Sequence, residues 1–177
     1  MENIEVELRS FISKEQYDSL LAFFKLEVPD HYSDDQITYY FDAPMDVRIQ
    51  KNSVCSKVWM KKGAMHSEAR EEVEVKFEPE YFEKLEQVFV GMGYPVKVKW
   101  FRKRYSFSWN GCEVSIDSNK GYGYIIEMEK MTDEAGKDAA LQKIRMLFDA
   151  LGIQITPKEV FDEKYHHYLA NWKVLTQ

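Results

Sequence analysis

Three pairs of acidic residues and one pair of basic residues recur at a spacing of two: Glu5/Glu7, Glu72/Glu74 and Glu127/Glu129, and Arg102/Arg104. In an extended strand, residues two apart share a face. Two carboxylates held about 6 Å apart repel by roughly 3 kcal/mol at an effective dielectric of about 20. A solvated sheet face would intersperse the signs. Like charges gathered on one side need a partner that neutralises both kinds, and a metal-bound polyanion does so. The bland alternative is an antiparallel sheet with its charged side in water.

Period-two alternation predicts strands over 3–10, 37–42, 47–51, 57–62, 69–77, 96–108, 112–117 and 124–130. In the first, Ile4, Val6 and Leu8 oppose Glu5, Glu7 and Arg9. The same division separates Val47 and Ile49 from Arg48 and Gln50, and Val73 and Val75 from Arg70, Glu72 and Glu74. Asn110-Gly111 marks a hairpin turn. Short links make the sheet largely antiparallel, and about eight strands can close around one small ligand.

Four helices are expected. Ser13 with Gln16 forms a capping box ahead of Tyr17, Leu20 and Phe24. Pro79 opens a second helix that stops near Gly93. A third spans about 133–151, and Thr156-Pro157-Lys158-Glu159 reads as the capping box of the last. The class is α+β: a closed or nearly closed antiparallel eight-stranded β tunnel with helices outside. One domain is expected over 1–177, its core at about 2–130 and its C-terminal helices at about 133–175.

The 177 residues carry 24 Lys+Arg against 30 Asp+Glu, which disfavours bulk binding to nucleic acid or an anionic membrane. No run of about eighteen apolar residues suggests a membrane helix. The charged opening argues against a secretory signal, and Cys55 and Cys112 read as thiols of a reducing compartment. The expected location is the cytoplasm.

Read in order, these segments resemble the CYTH family, the triphosphate tunnel metalloenzymes that include class IV adenylyl cyclases and thiamine triphosphatases. Glu5-Val6-Glu7-Leu8-Arg9 is similar to the ExExK signature, Tyr40-Phe41-Asp42-Ala43-Pro44 to YFDTP, and Val47-Arg48-Ile49-Gln50 to LRIR. Lys62-Gly63 falls at the TLKGP segment, Arg70 to Glu74 at RxExE, and Arg102-Lys103-Arg104 at KxR. Asp117 followed by Gly123-Tyr124-Ile125-Ile126-Glu127-Met128-Glu129 resembles the D…GxFxEIE ending.

The resemblance implies Mg²⁺ or Mn²⁺, in keeping with hard carboxylate donors. Glu5, Glu7, Glu127 and Glu129 are the first candidate ligands, with Glu72 and Glu74 next. Arg9, Arg48, Lys62, Arg70, Arg102 and Arg104 would cradle phosphates, arginine through its planar fork. Lys62 is preferred over Lys61 because it precedes Gly63 and shares parity with Met60, which leaves Trp59 to the apolar side. Glu5, Glu7 and Arg9 are the candidate catalytic residues. Two departures stand out: Arg9 replaces the signature lysine and cannot act as a base, and Gln50 replaces the second arginine of LRIR.

The leading expectation is metal-dependent hydrolysis of an inorganic or organic triphosphate. The runner-up is a class IV adenylyl cyclase, and the third a non-catalytic triphosphate- or nucleotide-binding module. The partner is a small-molecule triphosphate or nucleotide. A homodimer is compatible with the family, although no exposed apolar seam marks one. His166-His167 reads as solvated, Gly121-Tyr122-Gly123 as a turn, and the aromatic stripe of the last helix as core or as a plug at one tunnel end.

Overall fold

The alternating segments pair into one eight-stranded antiparallel sheet that curls into a half-barrel. The computed structural model describes residues 4–62 and 71–177, the side chains of Lys62, Glu71 and Glu72 excepted. The strands are β1 (Ile4–Ile12), β2 (Tyr32–Phe41), β3 (Asp46–Lys51), β4 (Ser56–Lys62), β5 (Glu71–Phe77), β6 (Val96–Trp109), β7 (Cys112–Asn119) and β8 (Gly123–Thr132). The helices are α1 (Lys14–Glu27), α2 (Phe82–Gly91), α3 (Lys137–Ala150) and α4 (Lys158–Leu175). The strand order across the sheet is β1-β8-β7-β6-β2-β3-β4-β5, with β1 and β5 at the edges.

All eight expected strands form. β2 begins at Tyr32, earlier than its alternation suggests, because Tyr32 to Gln36 pair with Ser106 to Arg102 of the long β6. Pairing with a neighbour extends a segment whose own pattern is unremarkable.

In β1, β3, β7 and β8 the apolar side is the convex side. Val6 and Leu8 of β1, Val114 and Ile116 of β7, and Ile126 and Met128 of β8 are buried in one core with Tyr17 and Phe24 of α1 and Ile144 and Phe148 of α3. A smaller cluster packs Phe41 and Ile49 against Phe82 and Phe89 of α2. Each such buried side chain contributes about 1.5–3 kcal/mol. The helices thereby hold the convex face and leave the charged face to the concavity.

Local signals fix the joints. Ser13 Oγ accepts from the Gln16 N–H at 3.2 Å, and Gln16 Oε1 accepts from the Ser13 N–H at 2.9 Å, completing the capping box of α1. Asn110 (φ 52°) and Gly111 (φ 69°) both take the left-handed conformation that a two-residue hairpin needs. Thr156 departs from its expected role. It does not cap α4; its Oγ1 accepts from the Phe11 N–H at 3.0 Å and meets Ser10 Oγ at 2.9 Å. The lead-in to α4 is therefore tied to the end of β1. Both cysteines are free, and no helix among the described residues is long and apolar enough to cross a membrane.

Candidate functional site

The concave face encloses a cavity of about 320 Å³. Strand parity decides what lines it. β1 sends in Glu5, Glu7 and Arg9, and β8 sends in Glu127 and Glu129. Their antiparallel register sets Glu7 opposite Glu129 and Arg9 opposite Glu127. Carboxylate oxygens of Glu5, Glu7 and Glu129 lie within 4.8 Å of one another. Burial pushes the Glu7 carboxyl up to about 7, with the Glu127 charge adding to the effect and Arg9 opposing it. Burial, then the charges of Glu127 and Glu5, pushes Glu129 up to about 8.

Glu127 behaves differently. Burial alone would raise its pKa, but Arg104, Arg9 and Arg102 outweigh burial and hold it below the usual carboxylate value. Arg104 Nη2–H donates to Glu127 Oε1 at 3.1 Å. Arg104 also grips Asp117 on β7, and Arg102 Nη1–H reaches the same carboxylate at 3.3 Å.

The facing wall is built by β2, β3 and β4. Gln36, Thr38 and Tyr40 enter from β2, Arg48 and Gln50 from β3, and Lys57, Trp59 and Lys61 from β4. Arg48 donates to both Asp46 oxygens, at 2.7 and 2.6 Å, and to Tyr40 Oη at 3.1 Å, with its guanidinium 4.2 Å from the Tyr40 ring centre. Gln50 Nε2–H donates to Thr38 Oγ1 at 3.0 Å and Gln36 Oε1 at 3.2 Å.

α4 lies at one end. Phe161 and Tyr165 line the cavity, and the Arg9 guanidinium sits 4.7 Å from the centre of the Phe161 ring. Tyr168, 1 % exposed, donates its hydroxyl to the Lys99 carbonyl at 2.9 Å and packs on Trp100 and Tyr122. The aromatic stripe thus packs as core through Tyr168 and lines the cavity through Phe161 and Tyr165.

Of the residues expected from sequence, Glu5, Glu7, Arg9, Arg48, Arg102, Arg104, Glu127 and Glu129 share this one cavity. Glu74 instead sits on edge strand β5 in an ion pair with Lys57 at 2.7 Å. Trp59 faces the cavity beside Lys57 and Lys61, the reverse of the parity expected around Lys62. Its ring carries cations, with Lys57 Nζ 4.8 Å from its centre, so an aromatic residue is at home on the charged face. The Lys62 and Glu72 side chains, and all of Arg70, lie outside the described residues. Sequence reasoning missed Gln36, Thr38, Asn119 and Tyr122 as lining residues; the parity of Gln36 and Thr38 with Tyr40 was the available signal.

The three-carboxylate cluster fits a hard divalent cation. It offers only oxygen donors, gathered within bridging distance, and two of its members gain from a positive charge that would relieve their burial and mutual repulsion. Glu127 is committed to Arg104 and stands apart from the cluster.

The sequence profile of the CYTH domain matches residues 3–158. A Methanocaldococcus jannaschii protein, provisionally named an adenylate cyclase, is 37 % identical over 89 residues, which cover 49 % of each chain. The match thus spans about half the length of that curated relative. Among solved structures, the Pyrococcus horikoshii protein PH1012 superposes with a TM-score of 0.72 at 18 % identity, over 87 % of this chain and 95 % of that one. A conserved Pyrococcus furiosus protein superposes at 0.69 and 24 % identity, over 85 % and 91 %. A Hippeastrum protein described as an adenylyl cyclase with a dominant triphosphatase activity superposes at 0.64 and 17 % identity, over 89 % and 93 %.

Proposed function

This chain belongs to the CYTH domain family, and on that premise we propose that it hydrolyses a triphosphate, inorganic or organic, in its charged cavity with a divalent cation as cofactor. The observation that carries the reading is the gathering of both charge types in one cavity: carboxylates of β1 and β8 together with guanidinium and ammonium groups of β1, β3, β4 and β6.

Glu5, Glu7 and Glu129 would hold Mg²⁺ or Mn²⁺, which when bound supplies charge neutralisation to the phosphate chain and a more acidic water. Arg102 and Arg104, oriented by their protein partners, would meet phosphoryl oxygens with their charge and remaining N–H groups, and Lys61 adds a further point charge. Arg9 carries a guanidinium, a poor base, and so would orient a phosphoryl oxygen or a water. Asp117 fixes the Arg104 fork by taking its Nε and Nη2 hydrogens. Phe161 and Tyr165, which line the cavity, would limit the water that reaches the phosphate chain. Catalysis of this kind is positioning and neutralisation, and it calls for no protein nucleophile.

A second reading is a class IV adenylyl cyclase, favoured by the name of the Methanocaldococcus relative and by the aromatic rings of Tyr40 and Trp100 in the cavity lining. The deciding experiment incubates purified protein with inorganic triphosphate, thiamine triphosphate and ATP, each with Mg²⁺ and with Mn²⁺. Orthophosphate release from either of the first two supports hydrolysis, and cyclic AMP from ATP supports the cyclase. Tight triphosphate binding with neither product removes both readings in favour of a binding module.

A further inference from the structure

Within the cavity, Arg102 is held in an unusual way. Its Nε–H and Nη2–H both donate to one neutral atom, Gln36 Oε1, at 2.9 and 2.6 Å. The carboxylate it touches, Asp117, is 3.3 Å from Nη1 and is already bound twice by Arg104 at 2.8 and 2.7 Å. The flanking groups fix which end of the Gln36 amide faces Arg102. Gln36 Nε2–H donates to Asp34 Oδ2 at 3.1 Å, while Oε1 also accepts from Gln50 Nε2 at 3.2 Å. Asp34 is itself buried, at 4 % exposure.

Resting on the triphosphate reading above, we propose that Gln36 is an affinity-determining positioning residue, which orients Arg102 through a neutral oxygen so that the guanidinium charge stays available to a phosphate group. A carboxylate here would give the same fork-on-oxygen geometry and spend the charge inside the protein. Burial and the neighbouring Arg104 both disfavour the Arg102 charge, and an incoming anion relieves both. The chain of amides also accounts for Gln50. An arginine in its place would bring a further cation toward Arg102 and could not supply Gln36 with a hydrogen bond without adding charge.

The test exchanges an amide and a carboxylate. The double variant Asp34→Asn/Gln36→Glu keeps the net charge and the donor–acceptor pattern, since the amide introduced at position 34 can donate to the carboxylate introduced at position 36. It moves the negative charge onto Arg102. Binding of the non-hydrolysable imido analogue of inorganic triphosphate with Mg²⁺ is measured by calorimetry for wild type, the double variant and Asp34→Asn alone. Kinetics with inorganic triphosphate are run in parallel. The expected result is affinity weakened about tenfold or more in the double variant, through the opposed charge at close range. KM should rise more than kcat falls, melting should be close to wild type, and Asp34→Asn should bind within about threefold of wild type. Affinity equal to wild type in the double variant would overturn the proposal, as would the whole loss appearing in Asp34→Asn. A double variant that does not fold contradicts the amide orientation on which the proposal stands. A wild type that binds no analogue removes the triphosphate reading itself, and this proposal with it.

Discussion

Arg104 clasps Asp117 across β6 and β7, Nε–H to Oδ1 at 2.8 Å and Nη2–H to Oδ2 at 2.7 Å, with Asp117 only 2 % exposed. The pair is a structural tie and, in the proposed reading, also the frame that orients Arg104 toward a phosphate. Removing one partner of a buried ion pair leaves the other uncompensated, at a typical cost of about 3–5 kcal/mol. Asp117→Asn keeps one acceptor, so a loss of about 2–4 kcal/mol in denaturant unfolding is expected, together with a fall in kcat/KM. Unchanged stability would mean that the pair is not formed in solution.

The proposed metal site would couple cation binding to pH. Glu7 and Glu129 rise from an ordinary 4.5 to about 7 and about 8 when folded without a cation. The folded protein therefore binds more protons than the unfolded chain between about pH 4.5 and 8, and its stability falls as pH rises through that window. Melting of the chelator-treated protein should be higher at about pH 6 than at about pH 8. Added Mn²⁺ should raise the melting temperature more at the higher pH, and its affinity should climb between about pH 6 and 8 as it displaces protons. A metal-free melting temperature that rises over the same interval contradicts the assignment.

Glu5→Gln/Glu7→Gln removes two of the three carboxylates that lie within 4.8 Å of one another. Turnover should fall by about a hundredfold or more, given the several kcal/mol such an ion supplies to developing charge. The metal-free variant should melt no lower than wild type at about pH 8, because the substitution relieves repulsion. Retained turnover counts against these ligands.

Arg9 stacks on Phe161 at 4.7 Å and stands 3.9 Å from Glu7. If it serves as a fixed cation and not as a substitute base, Arg9→Lys loses both the fork and much of the stacking, and kcat/KM should drop about tenfold. A gain in rate with a new basic limb in the pH profile would instead reveal a need for a neutral amine.

Gly121, at φ 73°, lies where an added Cβ would meet the Leu175 Cβ and carbonyl oxygen at 2.6 Å. Gly121→Ala should push the end of α4 off the β7–β8 turn and cost about 1–3 kcal/mol in unfolding free energy. An unchanged melting curve would show that α4 is not seated there.

How far the sequence carried depends on which residues announce themselves. Glu5/Glu7 and Glu127/Glu129 are charges at period two whose intervening Val6 and Met128 are buried, which leaves them one place to point, while Arg102/Arg104 share the cavity across an exposed Lys103. Neutral residues carry no such mark: Gln36 and Thr38 enter the cavity on the same parity as Tyr40, yet look like any polar strand residue. Trp59 misled because aromatic size was read as a sign of the core, whereas its ring lies beside Lys57 and Arg48 in the cavity. Glu74 has the expected parity, but β5 is an edge and its carboxylate meets Lys57 there. Thr156 matched a capping pattern, but a long-range tie to Phe11 and Ser10 took its hydroxyl, and only tertiary structure contains that partner.

The most direct measurement is anomalous diffraction from crystals grown with Mn²⁺ and the imido analogue of triphosphate. A manganese peak bridging the Glu5, Glu7 and Glu129 carboxylates, with phosphate density against Arg102 and Arg104, is the predicted result. Manganese and phosphate bound on the convex surface, or in the cavity away from those three carboxylates, would contradict it.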